Sequence, residues 1–97
     1  MSFIQTIDLH TSRFDEILTL DREWEQATEG RRTLRRSVVI HDRADPTHYV
    51  VLAFFDSYED AMKNSALPET GRFAEQMAKL LDGPPQFVDY DVVEDRS

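Results

Sequence analysis

With 97 residues, 40% of them apolar and 31% charged, the chain has room for one domain spanning 1–97, and its composition is that of a globular protein rather than a disordered one. A formal net charge of −8 argues against a nucleic-acid partner, and no apolar run approaches the roughly 18 residues that cross a bilayer. The lack of cysteine excludes disulfides, thiolate nucleophiles and thiolate metal sites, and the opening stretch Met1–Asp8 has neither the basic nor the apolar region of a secretory signal, so the cytoplasm is the expected location.

Phe3 to Leu9 reads as a short strand. Ser12, with Asp15 three residues on, offers a capping-box-like start to a helix of about 12–29, and Gly30 is placed to end it. Thr33 to His41 and His48 to Phe55 are β-branched, extended segments joined by the turn-rich Asp42-Arg-Ala-Asp-Pro-Thr47, which predicts a hairpin. Ser57 with Asp60 repeats the helix-start signature for a short helix to about Ser65. Pro68 suits the first turn of a second helical segment carrying Phe73, Met77, Leu80 and Leu81, which Gly83-Pro84-Pro85 stops. Phe87 to Val93 alternates as a last strand.

The order β-α-β-β-α-β is that of a ferredoxin-like α+β sandwich with a four-stranded antiparallel sheet in the order 4-1-3-2. The third strand is then central. In Tyr49-Val-Val-Leu-Ala-Phe-Phe55, Val50, Leu52 and Phe54 share one face while Val51, Ala53 and Phe55 share the other. Helices cover one face of such a sheet, so apolar residues on both predict a second copy over the open one, although central strands are often apolar without it. A chain this short buries only about 60–65% of the surface that its unfolded form exposes, and a homodimer would add to that.

From Phe55 onward the sequence resembles the antibiotic-biosynthesis monooxygenase-like proteins of the dimeric α+β-barrel superfamily. The resemblance lies in Ser57-Tyr-Glu-Asp-Ala-Met-Lys-Asn-Ser-Ala-Leu-Pro68, with Phe73 following. It implies a dimeric barrel and oxygenation of a small aromatic or polyketide-like molecule without a bound cofactor. Two departures matter. Asn64 stands where many members have His, and Met77 stands where the haem-degrading branch places a His four residues after a Phe, which argues against haem.

The first helix carries an anomaly. Phe14, Ile17, Leu18, Leu20, Trp24 and Ala27 occupy one half of the helical wheel, and Asp21 and Thr28 fall near its centre. A carboxylate there must be paired, protonated or open to a cavity, because an unpaired buried charge is too costly. Anthrones and hydroquinones react with oxygen once deprotonated, so a base, an apolar aromatic cavity and a polar group holding the phenolate oxygen suffice. Asp21 and Asn64 are the candidate catalytic residues, and Trp24, Arg36, Phe73 and Met77 the candidate substrate contacts. Asp21 could instead be salt-bridged or lie at a wet helix edge, and Asn64 could be an ordinary helix-terminal residue.

Two other groups stand out. His10, His41 and His48 gather at one sheet edge, where they could hold a metal with Asp42 or Asp45 or simply be solvated; no resident metal is expected. Arg31, Arg32, Arg35 and Arg36 lead into an edge strand, where charge discourages unwanted pairing, while Arg36, grouped with Leu34, Val38 and Ile40, could pair with Asp21 or hold an anion. The competing functions are a non-catalytic binding or regulatory domain using the same pocket, and a purely structural dimerisation module.

Overall fold

The structure is a computed structural model that describes residues 2–97; Met1, the first residue of the opening stretch, lies outside the described residues. Seven elements follow in the order β1 (Phe3–His10), α1 (Phe14–Ala27), β2 (Arg36–His41), β3 (His48–Phe55), α2 (Tyr58–Ser65), α3 (Pro68–Ala78) and β4 (Gln86–Asp91). The strands form one antiparallel sheet in the order β2-β3-β1-β4, the ferredoxin-like arrangement that the sequence predicts. Among the described residues no helix is long and apolar enough to cross a membrane.

The local signals hold, but three ends fall earlier than expected, α1 stopping at Ala27 before Gly30, α3 at Ala78 before Leu80 and Leu81, and β4 at Asp91 before Val93, and two starts change. Ser57 caps α2, its Oγ accepting the Asp60 N–H at 3.1 Å, and Pro68 opens α3. The first helix does not start on a Ser12 cap. Its N-cap is Arg13, whose N–H donates instead to Thr11 Oγ1, and that hydroxyl donates to Leu80 O at 2.7 Å. Thr11 thus joins the β1–α1 turn to the end of the α3 region. The second change is at β2, which begins at Arg36 rather than Thr33. Thr33 is held outside the ladder, its hydroxyl donating to Asp60 O and its N–H to Asn64 Oδ1.

Register fixes which side chains share a face, because successive Cβ atoms point to opposite sides of a strand. Pairing of Phe3 with Phe55, Ile7 with Val51 and Leu9 with Tyr49 places these residues under the helices. The alternate set, Ile4, Val38, Ile40, Val50, Leu52, Phe54, Val88 and Tyr90, faces away from them. Within the single chain this apolar set has no helix over it, and Ile40, Val88 and Tyr90 are 48%, 42% and 51% exposed.

The core beneath the helices is divided. One cluster joins Phe3, Ala53, Phe55 and Ala61, with Leu34 against it. The other joins Leu9, Ile17 and Met77, with Ile7, Phe14, Tyr49, Val51 and Phe73 around it. The helices therefore do not pack the sheet evenly, and space remains between the two clusters.

Candidate active site

That space is a cavity of about 300 Å³ between the helix layer and the sheet. Its walls are mainly apolar: Ile7, Leu9, Val51 and Phe55 from the sheet, with Phe14, Ile17, Leu18 and Trp24 from α1. Asp21, Trp24, Asn64, Phe73 and Met77 all line it. Five of the six residues singled out in the sequence therefore meet at one cavity.

Asp21 reaches this wall because it follows Ile17 by one helical turn and precedes Trp24 by nearly another. It is partly buried, and among the described residues it makes neither an ion pair nor a side-chain hydrogen bond. Its pKa is raised, first by burial and then by the neighbouring Glu25 carboxylate, with Arg32 and Arg22 opposing the rise. A carboxyl whose proton affinity is raised in this way is a better base than an ordinary carboxylate and is suited to proton transfer.

Trp24 is buried, and its indole N–H donates to Thr70 Oγ1 at 2.9 Å, which fixes the ring between α1 and α3. The Arg32 guanidinium stacks 5.9 Å from the ring centroid and donates to Glu25 O. Thr28, also on the apolar arc, is fully buried and satisfied locally, its hydroxyl donating to Trp24 O at 2.7 Å. Asn64 is buried on α2 with its Oδ1 accepting the Thr33 N–H at 3.3 Å. Its carbonyl is thus engaged by the backbone, and its amide N–H groups are the donors it can offer a ligand. Thr70 and Ser65 also line the cavity, two hydroxyls that sequence patterning does not single out because each reads as an ordinary helix residue.

Arg36 departs from expectation. It belongs to the opposite face of the sheet, pairing with Phe54 in register and stacking 5.3 Å from that ring, so it neither lines the cavity nor pairs with Asp21. Leu34 turns into the core instead of sharing its face, because it precedes the first ladder residue. The other arginines are engaged by the protein: Arg31 with Glu69 and Ala27 O, and Arg35 with Asp56 at 3.1 Å. None of the four is left to form a cavity anion site.

The histidine group is also rearranged. His10 and His48 stack, with centroids 4.6 Å apart, on the open face. His41 lies on the helix side, stacked 4.3 Å from Tyr49, which stacks in turn on Phe14. His48 sits between Asp42 and Asp8, and these two carboxylates raise its pKa.

No protein-family model matches the sequence, and no curated protein sequence matches it. Solved structures do. The chain is similar to SnoaB, a cofactor-independent oxygenase from Streptomyces nogalater, with a TM-score of 0.81 and 10% identity over 97% of this chain and 95% of that one. Proteins provisionally named as antibiotic biosynthesis monooxygenases give similar values. One from Caulobacter crescentus has a TM-score of 0.81 at 12% identity, covering 96% of this chain and 91% of its own. Another, from Deinococcus radiodurans, has 0.77 at 18%, covering 98% and 96%. The fold is thus that of the antibiotic biosynthesis monooxygenase proteins over nearly the whole chain, as the Ser57–Pro68 resemblance implies. At these identities the likeness concerns fold, and the chemistry rests on this chain's own residues.

Proposed function

We propose that the protein is a cofactor-independent monooxygenase-like enzyme acting on a small aromatic or polyketide-like substrate in the cavity beneath α1. The observation that carries the reading is a carboxylate of raised pKa, Asp21, without an ion-pair partner among the described residues, in the wall of a mainly apolar cavity of about 300 Å³. That volume is at the lower end of ligand pockets, so one compact aromatic ring system fits it. Asp21 takes a proton from the substrate, the Asn64 amide donates to the oxygen on which the negative charge collects, and Trp24, Phe73 and Met77 hold the ring. For an anthrone, the deprotonated CH₂ carbon reacts with one O₂, becomes a carbonyl and releases one water. The likeness to a named cofactor-independent oxygenase supports this class of reaction.

The working unit is a single-domain homodimer of the cytoplasm, with the apolar sheet face covered by a second copy. An oxygen electrode tests the chemistry. Wild type with an anthrone should consume oxygen and form the ketone, while Asp21→Asn, correctly folded, should be slower by about 10²–10⁴-fold. Equal rates for the two proteins would remove Asp21 from the mechanism. Saturable binding of the anthrone without turnover would move the protein to the class of non-catalytic binding domains.

A further inference from the structure

A second cluster lies on the open face of the sheet, on the side opposite the cavity. His10 and His48 are register partners across β1 and β3, and Asp8 precedes His10 by two residues on the same face. Each imidazole lies between two carboxylates, His48 within hydrogen-bond distance of both and His10 farther from its pair. His48 Nε2 is 2.8 Å from Asp8 Oδ2, and its Nδ1 is 2.8 Å from Asp42 Oδ2. His10 Nε2 is 3.9 Å from Asp8 Oδ1, and its Nδ1 is 3.8 Å from Asp45 Oδ2. The two loop carboxylates are themselves anchored: Asp42 Oδ1 accepts the Ala44 N–H at 2.8 Å, and Asp45 Oδ1 accepts the Thr47 N–H at 2.9 Å and its hydroxyl at 2.8 Å.

We propose that Asp8, His10 and His48 bind one divalent first-row transition-metal ion, with Asp42 as the outer carboxylate that orients His48 and Asp45 as a nearby charge beside His10. One donor atom from each of the three inner residues lies within 4.8 Å of the other two. Around a tetrahedral ion bound at about 2.0–2.2 Å, adjacent donors stand about 3.3–3.6 Å apart, so Asp8 and His48, now 2.8 Å apart, need part only slightly to admit it. His10 is the residue that moves. At the last pair of the β1–β3 ladder, 49% exposed in the single chain and, among the described residues, hydrogen-bonded to neither carboxylate, its side chain can leave the stack and swing its Nε2 toward the ion. Two imidazoles and one carboxylate suit Zn²⁺, Co²⁺ or Fe²⁺ and supply too few oxygens for Ca²⁺ or Mg²⁺. A carboxylate hydrogen-bonded to the far nitrogen, as Asp42 is to His48 Nδ1 at 2.8 Å, is the arrangement that fixes the ring and its tautomer in metal sites. The proton that His48 Nε2 shares with Asp8 leaves to solvent as the ion enters. The sequence predicts no resident metal and offers His10, His41 and His48 only as a possible cluster; in the proposed site Asp8 takes the place of His41, and the site stands independently of the cavity chemistry.

Isothermal titration of Zn²⁺ into untagged, chelator-stripped full-length protein tests it, with visible Co²⁺ absorption as a second readout. Saturation at one ion per chain is expected. His10→Gln and Asp8→Asn should each weaken binding by about tenfold or more, and His41→Gln, on the other face, should leave it unchanged. His10 is exposed enough for its variant to fold, which circular dichroism verifies. No saturable binding, or equal losses in His10→Gln and His41→Gln, would overturn the site and leave a cluster of ion pairs.

Discussion

At the scale of single residues, Asp21 is set apart by where the helix puts it. One turn from Ile17 and close to Trp24, it occupies an arc that otherwise holds hydrophobes, and among the described residues no cation pairs with it. Its raised pKa has a consequence for stability. The folded protein holds the Asp21 proton to higher pH than the unfolded chain, which releases it near about 3.9. Between those two values the native state binds more protons, so this residue lowers stability as pH rises. Asp21→Asn removes that penalty. Denaturant melts should show the variant more stable than wild type at neutral pH, with the difference shrinking as pH falls toward about 4 and absent below it. A variant less stable at neutral pH would mean that Asp21 answers a cation after all. Helical periodicity is enough to find Asp21, Trp24 and Met77 in the sequence. It is not enough for Arg36 or His41, whose faces depend on where the β2 ladder starts. Asp8 escapes notice because a lone strand carboxylate carries no spacing signal until His48 is brought beside it.

At the scale of elements, β3 explains both layers of the molecule. Its Val51, Ala53 and Phe55 meet the helices, while Val50, Leu52 and Phe54 join Ile4, Val38, Ile40, Val88 and Tyr90 on the open side. Large exposed apolar patches mark interaction surfaces, and this face predicts a second copy over it. Light scattering of wild type at micromolar concentration should return twice the chain mass. Leu52→Glu, which puts a charge at the centre of the face opposite Thr6 and Val38, should return the single-chain mass with its circular dichroism kept. A wild type of single-chain mass would contradict the dimer. The strand order, the hairpin and the Ser57 and Pro68 helix starts are legible because each rests on a local pattern. The start of α1 and the start of β2 are not. In both places a threonine, Thr11 or Thr33, makes its hydrogen bonds to distant backbone at Leu80 and Asp60, and no local pattern encodes a partner so far away.

At the scale of the whole molecule, the helices meet the sheet in two separate clusters, and the cavity is the volume between them. Residue patterns predict which side chains face inward, but not that their volumes fail to fill the layer. The proposed chemistry requires that the cavity beside Asp21 receive a small aromatic molecule. Carboxyl NMR titration of Asp21, with and without an aromatic ligand unable to react with oxygen, tests this most directly. The account predicts a pKa above the usual carboxylate range in the free protein and a further rise when the ligand displaces water beside it. An ordinary carboxylate pKa that the ligand leaves unmoved would contradict it.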